Sequence, residues 1–329
     1  MNQYIGALKD KKDIRDFKRS ELAKATMPMW KEKTSFKSYP VRDQDGSYSC
    51  VAQSVATLLG ALIEKKDGKY IEVSAKPIYT KRTNKSEGMY FREAMQIGAE
   101  YGSTFEVSVP SQKIGEDEMN DVSNITDIDL WIAGIVNGLN YFSVAYNFNE
   151  IASILEEGNP LIVGNCWDYD EWDTEFPTIK SNSSKKNHHC TTIVDYALIG
   201  GKKYLIQQDS WGKNKGKNGL RFLNEDWISR MTGCWYYDEL DYQQKEVVKV
   251  EKFNVDLEYG MISDDVKRLQ EFLKDLGIFP QIECTRYYGA ITLRAVKDFQ
   301  LKNGIISSSD DLGAGRCGPK TRAIINNYK

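Results

Sequence analysis

The chain is poor in histidine: its 329 residues include only two, adjacent at His188 and His189. Any imidazole chemistry must therefore pass through one short segment. Charge of either sign is not in excess. Lysine and arginine number 44 against 47 acidic residues, a net charge of −3, so the chain lacks the electrostatic footprint of a nucleic-acid binder. No apolar run is long enough to span a bilayer, the longest being residues 55–63, and no membrane partner is expected. The first dozen residues have no apolar core of a secretory signal. Two locations stay open, the cytoplasm or a site reached by a route such as lysis. The six cysteines are scattered, with no Cys-x-x-Cys pair, unlike a secreted disulfide framework or a zinc ribbon.

One stretch stands out, residues 44–54, Gln-Asp-Gly-Ser-Tyr-Ser-Cys-Val-Ala-Gln-Ser. After Cys50, apolar residues at Val51, Val55, Leu58, Leu59 and Leu62 have helical spacing with nearly every face apolar. The pattern predicts a loop feeding a buried helix with Cys50 in its first turn. Unpaired N–H groups and the helix dipole there favour a thiolate, the nucleophile of peptidases and transferases. A lone cysteine is more often a small buried hydrophobe, so partners decide the matter. If an imidazole activates Cys50, His188 or His189 supplies it. These open His-His-Cys-Thr-Thr-Ile-Val-Asp-Tyr, which reads as a strand. A second strand ends in Gln-Gln-Asp209-Ser-Trp-Gly212, and a glycine- and lysine-rich turn leads to Gly219-Leu-Arg-Phe-Leu.

These four ordered blocks resemble the papain-like cysteine peptidases over residues 1–242. The resemblance implies that Gln44 is the oxyanion-hole glutamine, Cys50 the nucleophile and His189 the base. Asp209-Ser-Trp-Gly212 stands for the family's Asn-Ser-Trp-Gly, and residues 216–222 for its Gly-x-Asn-Gly-Tyr-x-x. It further implies substrate-facing roles for Gly88, Trp211 and Cys190, with Trp211 shielding the His–Asp pair. At Gly88 a side chain would block backbone pairing with an extended substrate; the alternative is a plain helix-entry glycine. Three departures are visible. Ser47 stands where a disulfide cysteine is common, Val51 replaces an aromatic, and Asp209 replaces asparagine. A carboxylate still accepts the imidazole N–H, so Asp209→Asn is expected to be tolerated.

Residues 6–17 resemble the entry of mature prokaryotic members and read as a surface strap. The 43 residues before Gln44 are few for a helical inhibitory prosegment, and the full-length chain is expected to be active as synthesised. Residues 90–101 read as a helix, 116–129 as acidic loop, and residues 131–136 as helix or strand. Residues 151–158 read as a short helix and 160–167 as a core strand. Residues 168–187 read as a loop over the cleft. Its acids Asp168, Asp170, Glu171, Asp173 and Glu175 lack the glycine and terminal glutamate of a calcium loop and suit a solvated face. Zinc held by Cys166, His188, His189 and Cys190 is disfavoured, because strand alternation sends His189 and Cys190 to opposite faces. No metal or other cofactor is expected.

Residues 243–256 form a charged linker. Beyond it, Ser263 is a plausible N-cap for an amphipathic helix with Val266, Leu269, Phe272, Leu273 and Leu276 on its apolar face, ended by Gly277. A second helix covers residues 290–302, and a third begins at Gly318-Pro319. Gly289-x-x-Thr292 and Gly318-x-x-Thr321 form a weak repeat, which allows, without requiring, a Cys284–Cys317 disulfide. Residues 257–329 resemble the three-helix peptidoglycan-binding domain, through Asp265-Val-Lys-Arg-Leu-Gln270, Tyr288-Gly289, residues 295–300 and residues 318–322. The alternative is a helical docking module for another protein.

The expected fold class is α+β. A papain-like two-lobed peptidase, with a helical lobe and an antiparallel β lobe, occupies residues 1–242 and precedes a small all-α three-helix domain. The expected function is a cysteine endopeptidase with a Cys50–His189–Asp209 triad, acting on a protein or peptide substrate and tethered to bacterial cell wall through peptidoglycan. Two other readings are a catalytically retired wall-binding or virion structural protein, and a lysin-like endopeptidase or amidase acting on peptidoglycan stem peptides.

Overall fold

The computed structural model describes residues 6–11, 13, 16, 27–134, 136–181, 187–241, 252–279 and 284–327. It divides into two compact units, residues 1–242 and 243–329. Most of the sequence-assigned linker, residues 243–251, lies outside the described residues, as do residues 12, 14, 15 and 17 of the strap and 182–186 of the loop over the cleft.

The large unit begins with a two-residue strand, β1 (Ala7–Leu8). Helix α1 (Cys50–Asp67) follows, and every residue from Cys50 to Ile63 is buried, as its all-round apolar pattern requires. It stops at Gly68, which turns left-handed at φ 75° so that its N–H bonds back to the carbonyl of Glu64. Helix α2 (Lys76–Thr80) and strand β2 (Met89–Tyr90) lead into helix α3 (Phe91–Glu100). Its buried residues Phe91, Ala94, Met95, Ile97 and Gly98 form one stripe. Strand β1 lies parallel to β2, Ala7 beside Met89 and Leu8 beside Tyr90.

The acidic stretch expected to be loop holds two short helices, α4 (Glu116–Asn120) and α5 (Asp127–Ala133). Both put acids in their first turn, where the dipole favours them. Thr126 and Asp129 form a reciprocal capping box, and Glu116 is anchored by Arg82 at 3.0 Å. Helix α5 also resolves residues 131–133 as helical. Strands β3 (Asn137–Gly138) and β4 (Tyr141–Ser143) precede α6 (Phe148–Glu156).

The second lobe is a six-stranded antiparallel sheet. To β4 it adds β5 (Leu161–Trp167), β6 (Asn187–Ile199), β7 (Lys202–Gln208), β8 (Leu220–Leu223) and β9 (Met231–Tyr237). The order is β4-β9-β5-β6-β7-β8. A last short strand, β10 (Leu240–Asp241), pairs with β3. Helix α1 packs on β5 and β6, and α3 on β9. The α3 contact depends on two glycines, Gly164 and Gly233, which sit side by side on β5 and β9. Phe91 fills the slot above them: a Cβ would lie 2.3 Å from its ring at Gly164 and 2.7 Å at Gly233.

Residues 168–181 are not a uniformly solvated acidic face. Glu171 is buried and accepts from the backbone N–H of Asp168 and Lys180 and from Arg230. Asp170 and Glu175 pair with Lys180 and Lys217 at the surface.

The small unit contains α7 (Asp264–Asp275), α8 (Ala290–Lys302) and α9 (Pro319–Ile325). The Ser263 hydroxyl caps α7 by accepting from the N–H of Val266 at 3.1 Å. Val266, Leu269, Phe272 and Leu273 are buried, whereas Leu276 is half-buried at the C-cap. The repeat has a physical basis. The Gln270 amide donates to the Thr292 hydroxyl (2.8 Å) and the Tyr287 carbonyl (2.9 Å). Gln300 does the same to Thr321 (2.9 Å) and Arg316 (2.8 Å). Each glutamine thus clasps the turn that starts the next helix. Cys317 is a buried free thiol, so the Cys284–Cys317 bridge is not formed.

Candidate active site

Cys50 is the first residue of α1, with Ser49 at the N-cap and no side-chain cap on the first turn. The open N–H groups of that turn therefore surround the sulfur's own backbone. The loop before it is held by hydrogen bonds where a disulfide was expected to be missing. Ser47 donates to the Gln44 carbonyl (2.8 Å) and meets the Ser49 hydroxyl at 2.7 Å.

His189 lies on β6 opposite Asn165 on β5, and its side chain is fully buried. Its Nε2 contacts Asp209 Oδ1 at 2.8 Å. Among the described residues no group other than the Cys50 thiol is placed to bond its Nδ1, and Cys50 supports the charged ring. The imidazole stacks on Trp211 (centroids 4.1 Å apart, 17° between planes) and meets the edge of Trp167 at 5.9 Å. Burial opposes the imidazolium, but the Asp209 carboxylate and Cys50 outweigh it and raise the pKa from 6.5 to about 9. His188, one residue away, is half-buried, and desolvation lowers its pKa.

Asp209 follows the end of β7. Its Oδ1 also accepts from the N–H of Ser210 at 2.8 Å. Its Oδ2 accepts from Arg221 Nη1 and, at 3.3 Å, from the indole N–H of Trp172. Burial raises a carboxylate pKa, yet Arg221 and His189 hold this one down at about 2. Residues 42–44 run alongside 210–212. Gln44 N–H donates to the Ser210 carbonyl (2.8 Å), Gly212 N–H donates to the Arg42 carbonyl (2.9 Å), and Asp43 bridges Trp211. This lacing brings Gln44 to the triad. Its Oε1 accepts from the Ser210 hydroxyl (2.6 Å), and Nε2 donates one hydrogen to the Ser47 carbonyl (2.8 Å).

The structure thus gathers Gln44, Cys50, His189, Asp209 and Trp211. Cys190 is fully buried in the same core cluster as Cys50, and burial, with the neighbouring Cys50, raises its thiol pKa strongly. Gly88 is close by but covered. A Cβ there would lie 1.6 Å from the Gly6 carbonyl oxygen, and one on Gly6 would lie 1.9 Å from that of Tyr48. The N–H of Met89 donates to the Gly6 carbonyl at 2.8 Å, and β1 also lies beside β6. Residues 6–8 of the strap are therefore packed against Tyr48 and the 88–90 edge rather than lying on the outer surface. Sequence reasoning missed Arg221 and Trp172. One signal was available: a carboxylate at a buried position normally occupied by a neutral amide needs a cation, and Arg221 lies just beyond Asp209 on the next strand.

Over residues 28–232 the chain matches the family model of the papain family cysteine proteases, and over residues 263–325 that of the peptidoglycan binding domain. Among solved structures it is similar to xylellain, a cysteine protease from Xylella fastidiosa, with 20% identity and a TM-score of 0.59 over 72% of this chain and 96% of that one. Digestive procathepsin L 3 of the Tenebrio molitor larval midgut gives 16% and 0.52, over 68% and 74%. Procathepsin B S9 from Trypanosoma congolense gives 12% and 0.53, over 71% and 85%. At these identities the likeness is one of fold, and it bears out the expected α+β architecture with a helical C-terminal region. No curated protein matches the chain.

Proposed function

The chain belongs to the papain family of cysteine proteases and carries a peptidoglycan-binding domain, and on that premise we propose that Cys50, His189, Asp209 and Gln44 perform its peptide-bond hydrolysis while residues 257–329 hold it at bacterial cell wall. The observation that carries the catalytic assignment is the setting of His189. One ring nitrogen is fixed on Asp209 at 2.8 Å, the ring is stacked on Trp211, and the other nitrogen is left for a cysteine at a helix start.

In this mechanism Nδ1 of His189 takes the Cys50 proton, and the thiolate attacks the scissile carbonyl. The oxyanion is met by the backbone N–H of Cys50 and the amide of Gln44. The imidazolium then protonates the leaving amine. Water, deprotonated by the same ring, hydrolyses the thioester. Asp209 fixes the ring's tautomer and stabilises its charge. A retired scaffold would have no need to keep both nucleophile and base in this geometry. An extended substrate paired along the Gly88 edge would occupy the place of β1, so the strap must leave before catalysis.

Iodoacetamide should label Cys50 ahead of the other thiols. Fluorescent casein should be cut by the parent and not by Cys50→Ala. Purified sacculi in parallel separate protein substrates from wall stem peptides, a target that the peptidoglycan-binding domain makes worth testing. Faster labelling at another cysteine, or residual cutting by the alanine variant, would remove Cys50 as nucleophile.

A further inference from the structure

The third member of the proposed triad is a carboxylate in a fully buried place, and it does not stand alone. Arg221, itself buried, comes from β8 and pairs with the Asp209 oxygen that His189 does not use. Its Nε donates to the Trp172 carbonyl at 2.8 Å, and its guanidinium lies 5.0 Å from the Trp172 ring and 5.9 Å from that of Trp211. The same two tryptophans wall in Asp209 and His189. The cation is therefore built into the site.

We infer that Arg221 is a positioning residue for the reaction: it compensates the buried charge of Asp209 through the oxygen that His189 does not use, so that the carboxylate stays ionised and in place to orient His189. This rests on the triad assignment above.

Consider the reactive state. The Cys50 thiolate, the His189 imidazolium, the Asp209 carboxylate and the Arg221 guanidinium sum to zero. Asparagine at 209 alone leaves Arg221 as a buried orphan cation near the imidazolium. Methionine at 221 alone leaves a buried carboxylate. Either single change is costly, because breaking a buried pair strands the remaining charge. Both together restore neutrality. Other groups facing this cluster do not substitute for Arg221. Cys50 comes from α1 and Asp43 from the strand-like loop behind Trp211. Trp167 and Trp172 are uncharged, and Lys9 of the strap acts on His188. The expectation that Asp209→Asn alone is tolerated is therefore reversed.

With only two histidines in the chain, ring-proton NMR can follow His189 directly. His188→Gln supplies the assignment. The titration is run on the full chain for the parent, D209N, R221M, R221K and D209N/R221M, beside kcat/KM on a soluble peptide. The His189 pKa should fall by about 1 unit or more in D209N and rise in R221M. It should stay near the parent value in R221K and, in the double variant, rise part of the way back from the D209N value. kcat/KM should fall about 100-fold in D209N and recover at least tenfold in the double variant. A residue needed only for packing would give no opposite shifts and no rescue. Unchanged His189 titration in R221M, or a double variant no more active and no more stable than D209N, overturns the inference. Should R221M alone fail to fold, recovery of D209N by the second substitution still decides it. Because NMR reads the imidazole without turnover, inactivity of the parent would count against the triad and leave the charge compensation separately measured.

Discussion

Replacing Gly6 with alanine should make the enzyme faster at low substrate. The new methyl carbon would sit 1.9 Å from the backbone oxygen of Tyr48, where an ordinary carbon–oxygen contact is about 3.3 Å. Backbone lies on both sides, so the strap cannot stay docked. What holds it is modest. The Met89–Gly6 bond of 2.8 Å is worth about 1 kcal/mol. Burial of the Ala7 methyl adds about 1 kcal/mol. The Asp10 carboxylate on the N–H of Arg92 (3.1 Å) adds about 2 kcal/mol, and the half-buried Asp16–Arg92 pair (2.5 Å) about 1 kcal/mol. Against this, ordering the three residues 6–8 costs about 3–6 kcal/mol. The two sides nearly balance, so any net docking preference is at most about 2 kcal/mol, a docked-to-free ratio of no more than about 30. A tethered competitor raises apparent KM and leaves kcat alone. Gly6→Ala should thus lower apparent KM by up to about 30-fold on a soluble fluorogenic peptide, with kcat unchanged, as should deletion of residues 1–11. Gly88→Ala should not help, because it blocks the proposed substrate edge as well. An unchanged KM in both strap variants, or a fall in kcat, would refute the reasoning.

Three other outcomes are expected. His189→Ala should abolish hydrolysis while His188→Ala causes a small loss; a larger loss at His188, read in kcat/KM, would shift the register of the site. The folded pKa of His189, about 9 against 6.5, is raised, so its contribution to stability is complete below pH 6.5 and disappears as pH rises through 9. Melting temperature should therefore fall more across that window in the parent than in His189→Gln, and parallel curves would contradict a buried imidazolium. Residues 257–329 expressed alone should fold and co-sediment with purified peptidoglycan while residues 1–242 stay in solution; the reverse partition would replace the wall-binding reading with a docking module for another partner.

The sequence made the nucleophile legible because chemistry and local structure coincide there: a cysteine at the start of a helix that is apolar on every face. His189 followed from the scarcity of histidine. Helices α4 and α5 were hidden because their acids look like solvent-facing loop until Thr126 and Asp129 are seen to cap and Arg82 to anchor Glu116. Arg221 escaped because the burial of a charged side chain depends on what the neighbouring strand presents. Docking of the strap depends on two distant glycines, each readable by itself only as a turn or a helix entry.

Phe91 fixes something beyond the seat of one helix. It follows directly on Tyr90, so the edge formed by residues 88–90 is pinned to the sheet through a ring set over Gly164 and Gly233. Widening the groove would mean drawing that ring out of its slot, and a methyl on either glycine would lift it. The gap between the lobes is therefore a fixed gauge. Side chains lining it can be exchanged to change which peptides fit while the spacing stays constant, whereas a change at Gly164 or Gly233 would alter the spacing for every peptide at once.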